Sequence, residues 1–175
     1  MTSSDSPTAD AGRVEQSPPR RTDYAGAVYG SMLAASVVAT AGVLGAHAFF
    51  KLALGLIVTG LVFWLAHVYA RWVGERRLVG SPWAWAEIRR VAVHEWPIVE
   101  AAFLPALAVG LGALLGLDLA GAAWFALSVA VAQEVAWACL GAVRAGASAL
   151  QVVAEGAVNL VLGLIIMLAK TAVSH

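Results

Sequence analysis

The sequence predicts an all-α, polytopic integral membrane protein with five transmembrane helices and one amphipathic helix at the membrane interface. Of its 175 residues, 61% are hydrophobic and only 13% are charged, whereas soluble domains are about 25% charged. The mean hydropathy is +0.79. Too few polar side chains remain to cover the surface of a soluble fold. Basic and acidic residues balance at 11 each, so no basic field for nucleic acid is expected.

The amino-terminal segment differs from the rest of the chain. Residues 1–22 are rich in Ser, Pro and charged side chains and include SPPRR, a composition that cannot bury enough apolar surface to fold. We predict a disordered cytoplasmic tail over 1–22, followed by a membrane domain over 23–175. The start of the chain is polar where a cleavable signal peptide has its apolar region, so the first apolar segment should act as an uncleaved anchor.

Five apolar runs are long enough to be transmembrane helices, which need about 20 residues to cross a ~30 Å hydrocarbon core. Residues 25–50 contain no charged side chain, and Lys51 is followed by nineteen uncharged residues. A tight turn is expected near residues 45–51. Asp118 should cap the fourth span, and Ser148 with Gln151 has the spacing of a capping box at the fifth. The predicted spans are about 25–46, 50–72, 97–116, 119–143 and 149–170.

Residues 71–96 interrupt the apolar runs and contain several arginines. Ser81 and Pro82 form a helix-start signal, and the residues that follow predict an amphipathic helix over 82–96 lying in the membrane interface. Trp85, Ile88, Ala92 and Trp96 should share one face, opposite Glu87, Arg90 and His94. The membrane-interface candidates are Trp85, Arg89, Arg90 and Trp96.

Lys and Arg are distributed asymmetrically between alternate connections. Nine fall on the side of the amino terminus and only Lys51 and Lys170 on the other. Since cytoplasmic loops carry the excess of basic residues, we expect a cell-membrane location with the amino terminus in the cytoplasm and the carboxyl terminus outside.

Polar side chains within the predicted spans are the candidate functional residues, because an ionised group at the bilayer centre costs about 2.5–3.5 kcal/mol. Gln151, Glu155 and Asn159 recur every fourth residue and should face the bundle interior or a subunit interface. Acidic groups gathered at low dielectric compete for protons or cations. We therefore predict a proton- or cation-binding site, with metal identity open, drawn from Glu155, Glu134, Glu100, His67, Asn159 and Gln133.

The same residues also have structural interpretations. The polar groups could instead hold helices together, and Glu100 and Glu155 are shallow enough to pair with Arg71 or Arg144. Small residues at Gly26, Gly30 and Ala34 favour close packing of the first helix, against an internal neighbour or a second subunit.

Two functional hypotheses follow. The first is a small transporter or channel for protons or a cation, handled through the intramembrane carboxylates and working as a possible homodimer among membrane lipids. The second is a non-transporting scaffold or regulatory subunit acting through its tail and its Arg-rich interfacial segment. No enzymatic motif is present in the sequence, and neither an enzymatic activity nor a cofactor is predicted.

The chain resembles the vacuolar iron transporter family. The resemblance rests on five spans, an internal amino terminus, a cytoplasmic element between the second and third spans, and VYG in the first helix (residues 28–30). It covers about residues 24–170 and implies a dimeric exporter that exchanges divalent metal for protons. The family's first-helix acidic residue is absent from Ser31–Met32–Leu33, and His67–Val68–Tyr69 stands where the family has Met and Glu. A short Arg-rich segment replaces its glutamate-rich domain, so iron specificity and metal ligands do not transfer to this chain.

Overall fold

The computed structural model describes residues 24–40, 47–79 and 85–173, and these are helical apart from short turns. Four helical segments are long and apolar enough to cross a membrane, and a shorter apolar helix precedes them. The all-α prediction is therefore confirmed, and the architecture is consistent with a helical membrane protein. In chain order the helices are α1 (Tyr24–Thr40), α2 (Ala48–Val79), α3 (Trp85–His94), α4 (Pro97–Leu114), α5 (Leu119–Arg144) and α6 (Ala149–Val173).

Local signals fix the two turns that join α4, α5 and α6. Gly116 and Gly146 adopt φ of +76° and +78°, the left-handed conformation that glycine adopts most readily. The amide of Leu117 donates to the Gly112 carbonyl at 3.0 Å, as is typical of a Schellman motif. Asp118 then caps α5 by accepting a hydrogen bond from the Gly121 amide at 2.7 Å. These short turns make α4, α5 and α6 antiparallel neighbours.

The predicted capping box at the start of α6 is also present. The side-chain Oε1 of Gln151 accepts from the Ser148 amide at 2.8 Å, and the Gln151 amide donates to Ser148 Oγ at 3.4 Å. The Gln151 side chain therefore caps the start of its own helix.

The structure changes the predicted bounds of α2. The helix begins at Ala48 and runs to Val79, so Lys51 lies in its first turn rather than in the preceding connection. Residues 73–79 continue the helix beyond the predicted end at 72, because the change in polarity marks the edge of an apolar segment and not the end of a helix. Residues 41–46, which include the first two residues of the predicted turn, lie outside the described residues, as do 1–23.

Helix α3 covers most of the predicted interfacial helix, whereas Ser81 and Pro82 lie outside the described residues. Its buried side differs from the expected one: Val91 is 3% exposed and Trp85 is 76% exposed. The cause is packing on α2, where the Trp64 indole donates to the Ala92 carbonyl at 2.8 Å. The Trp96 ring also meets Trp64 edge-to-face at 5.5 Å. Arg89 and Arg90 are exposed; the membrane depth of α3 stays a prediction.

Helix α1 packs against α2, α4, α5 and α6 and so lies at the centre of the bundle. Its small residues Gly26, Gly30 and Ala34 are buried. A Cβ on Gly30 would lie 2.8 Å from the Ile98 carbonyl oxygen of α4, so the stripe meets an internal neighbour at this position. The core cluster formed around α1 is rich in alanine, which lets the helix backbones approach closely.

We expect Gly30→Ala to lower the free energy of unfolding by about 1–2 kcal/mol, because the added methyl group must push α4 away. Gly55→Ala is the matched control, since a Cβ there has no neighbour within 4 Å. Thermal unfolding in detergent measures both variants. Equal stability of the two would show that the α1–α4 contact is not tight.

Candidate functional site

Gln133 and Glu134 form a polar pair among the buried residues of α5. Glu134 is 0% exposed and Gln133 is 8% exposed. The Gln133 Nε2 donates to Ser31 Oγ and to the Ala101 carbonyl, both at 3.1 Å, which ties α5 to α1 and α4. Among the described residues, none donates a hydrogen bond to Gln133 Oε1 or to either carboxylate oxygen of Glu134. Three buried oxygen acceptors therefore lack a donor.

Glu134 points between α1 and α6. Three residues before it on α5, Val131 lies where a Cβ on Gly163 of α6 would fall. Three residues after it, Trp137 stacks at 6.0 Å against Tyr24 of α1. At about 100° per residue, a residue three positions before Glu134 and one three positions after it lie about 60° to either side of it around the helix axis. The Glu134 side chain therefore lies between the direction to α6 and the direction to α1.

Asn159 lies at the same depth as Glu134. The neighbours of Glu134 on α5, Val131 and Val135, are level with Gly163 and Gly156 of the antiparallel α6. Asn159 lies midway between these two glycines, as Glu134 lies between the two valines. The register therefore matches Glu134 to Asn159.

Asn159 is also on the side of α6 that faces α1. The Lys170 Nζ of α6 donates to the Val38 carbonyl of α1 at 3.2 Å. Eleven residues separate Asn159 from Lys170, and eleven residues at about 100° each return to within about 20° of the same direction. We name this line the α1–α6 seam: Glu134 beneath it, with Glu155, Asn159 and Lys170 along α6.

The predicted polar row of α6 does not lie inside the bundle. Gln151 and Glu155 are exposed and Asn159 is half-buried, with its side-chain nitrogen donating to the Glu155 carbonyl at 2.9 Å. Of the two predicted surroundings, the bundle interior is wrong for Gln151 and Glu155, and the subunit interface stays a prediction. The physical reason is that Gly156 and Gly163 allow the closest approach to α5 and so set the rotation of α6.

The remaining candidates lie apart from Glu134. His67 of α2 stacks at 5.2 Å on Tyr29 of α1, and its Nδ1 is 3.0 Å from the Phe63 carbonyl. Glu100 is exposed in the first turn of α4. Within the described ranges, no three His, Cys, Asp or Glu side chains are grouped closely enough to hold a metal ion. The four ionisable candidates do not form one cluster.

Glu95 is a buried carboxylate that was not among the predicted site residues. It lies at the α3–α4 junction with its side chain 3% exposed, and Oε1 is 2.6 Å from Nε of Arg71 on α2. The sequence paired Arg71 with Glu100 or Glu155 instead. The sequence offered no signal for this pair, because the side of α3 that packs on α2, marked by the buried Val91, was not the predicted one.

Arg144 likewise has a different neighbour from the expected carboxylates. Its guanidinium carbon lies 5.7 Å from the centre of the Tyr24 ring. The structural alternative of an Arg144 ion pair with Glu100 or Glu155 therefore has no support from the described contacts.

Comparisons of the chain with protein-family models, with curated proteins and with solved structures return no match. The resemblance to the vacuolar iron transporter family therefore stays a prediction.

Proposed function

We propose that the protein is a small multi-pass membrane protein that moves protons or a cation through Glu134. The observation that carries this proposal is a carboxylate that is 0% exposed and accepts no hydrogen bond from any described residue. A buried ionised carboxylate is very costly without a partner. A proton or a cation removes that cost by neutralising the charge, so the site favours taking one up.

The position of Glu134 also supports a role in transport. It lies ten residues from Arg144 and fifteen from Leu119, about 15 and 22 Å from the two ends of α5. An ionisable group this deep in a spanning segment is a functional-site hypothesis by default. Gln133 fixes the adjacent helix turn through Ser31 and Ala101, which supports a defined geometry for Glu134.

The proposed topology is five spans, α1, α2, α4, α5 and α6, with the amino terminus in the cytoplasm of the cell. The ratio of nine basic residues to two supports this orientation. It places the Glu155 end of the α1–α6 seam on the cytoplasmic side and the Lys170 end outside. A homodimer remains part of the proposal, since α6 exposes Glu155 together with many apolar side chains.

Reporter fusions test the topology. An enzyme reporter active only in the cytoplasm should be active when fused before Tyr24 and inactive when fused after His175, and a periplasmic reporter should give the opposite pattern. Activity of one reporter at both termini would contradict an odd number of spans.

Proteoliposome flux tests the function. Vesicles with a valinomycin-driven potassium potential and an internal pH dye should show protein-dependent proton entry, and Glu134→Gln should reduce that entry to the level of empty vesicles. Glu100→Gln is the matched control and should retain flux, because Glu100 is exposed and shallow. Parallel vesicles that carry a sodium or magnesium gradient, with an internal dye for that ion in place of the pH dye, separate proton from cation movement. Equal flux in parent and Glu134→Gln would contradict the proposal.

The second candidate function is a scaffold or regulatory subunit. The exposure of Trp85, Arg89 and Arg90 on α3 favours it, because aromatic and basic side chains suit anionic headgroups or a partner protein. This candidate predicts no protein-dependent flux in the same vesicles and a silent Glu134→Gln variant.

A further inference from the structure

We infer that Glu134 exchanges a proton with only one side of the membrane in this conformation, along the α1–α6 seam from the Glu155 end. The inference rests on the proposed function only in taking Glu134 as the proton-binding group. It names the access route and its direction, which the proposed function leaves open.

The Glu155 half of the seam carries polar side chains at increasing depth. Glu155 is exposed about 9 Å into α6, six residues after Ala149. Asn159 follows one turn deeper, half-buried and level with Glu134. A carboxylate and an amide one turn apart can exchange hydrogen bonds with water that enters from this end, as polar groups near the interface of a bilayer commonly do.

The Lys170 half of the seam is filled with apolar side chains. Ala35, Val38, Leu127 and Val131 belong to the buried core cluster, and Ile166 and Met167 of α6 pack against it. Lys170 ends this half by donating to the Val38 carbonyl, with its Nζ 5.9 Å from the Trp124 ring centre. The rise along α6 from Asn159 to Lys170 is about 16 Å. Over that distance α6 has no polar side chain that could accept or donate a proton.

The charges around the route agree with a proton as the ligand. Helix α1 contributes no acidic or basic residue, only Tyr24 and Tyr29; α4 contributes Glu100 in its first turn; α6 contributes Glu155 and Lys170. The rest of α5 adds Cys139 and Arg144. Glu134 is the sole buried carboxylate of the described seam, and one carboxylate balances one positive charge.

Cysteine labelling tests the direction of access. In a Cys139→Ala background, which removes the natural thiol, single variants Glu155→Cys, Asn159→Cys and Ile166→Cys sample the seam. Val158→Cys is the matched control, because Val158 is 59% exposed beside Asn159 but faces away from the seam. The probe is the membrane-impermeant anion MTSES, which reacts with thiolates in water, applied to spheroplasts and to inverted membrane vesicles.

We expect Glu155→Cys and Asn159→Cys to be labelled in inverted vesicles only, and Ile166→Cys and Val158→Cys to remain unlabelled in both preparations. Labelling of Asn159→Cys from the outer side or from both sides would overturn the inference. So would an unlabelled Asn159→Cys together with a labelled Val158→Cys. If Asn159→Cys does not fold, an unlabelled Glu155→Cys or a labelled Ile166→Cys overturns it equally. One-sided labelling together with unchanged flux in Glu134→Gln would instead contradict the proposed function and still support the access route.

Discussion

Replacing Glu134 by leucine should abolish proton flux and, at the same time, raise the free energy of unfolding by about 1–3 kcal/mol. The gain is expected because a buried acceptor without a donor costs about that much, and leucine suits a fully buried position. The measurement pairs proteoliposome flux with thermal unfolding of the same detergent-purified variant.

The neighbouring residue supplies the control of opposite sign. Gln133→Leu should lower the free energy of unfolding by about 1–2 kcal/mol, because it removes the hydrogen bonds to Ser31 and to the Ala101 carbonyl. If both leucine variants shift stability in the same direction, the contrast between the side chain that donates two hydrogen bonds and the carboxylate that accepts none is wrong.

Removing Arg71 should be among the most destabilising single changes outside the core. Arg71→Ala leaves the Glu95 carboxylate buried without its ion-pair partner, and we expect a loss of about 2 kcal/mol. Fully buried pairs lose about 3–5 kcal/mol when broken, but the Arg71 side chain is 46% exposed, so water screens part of the interaction. Arg89→Ala is the matched control, since Arg89 is exposed on α3 and should change stability by less than about 0.5 kcal/mol.

A second substitution decides whether the buried carboxylate is the cause. Glu95→Gln in the Arg71→Ala background removes the orphaned charge and should restore most of the lost stability. An undiminished loss in the double variant would assign the effect to the packing of the Arg71 side chain instead.

Helix positions were predictable from the sequence where one local cause sets them. The apolar runs predicted α4, α5 and α6 to within about three residues, and the caps at Asp118 and Ser148 act within a single turn. The end of α2 was not predictable in this way, because Arg71, Arg76 and Arg77 are good helix formers. Their charge marks a change of environment, and the helix continues through it.

Rotation about the helix axis decided the site, and rotation depends on the neighbours. Glu134 and Glu155 looked equivalent in sequence as carboxylates in apolar helices, yet one is buried and the other exposed. Because Gly156 and Gly163 face α5, Glu155 lies at the edge of the contact between α6 and α5. The pairing of Arg71 with Glu95 joins α2 to the α3–α4 junction, and no spacing along one helix reveals such a tertiary contact.

The alanine content of the core has a consequence for the entropy of folding. Six of the twelve buried residues of the core cluster are alanine, and an alanine side chain has no rotamers to lose when it is buried. Half of the central packing therefore forms without a side-chain entropy cost, whereas a leucine or isoleucine at each position would lose about 0.5–1 kcal/mol. Modest van der Waals contacts can therefore hold the helices of this bundle together, because folding costs little side-chain conformational entropy.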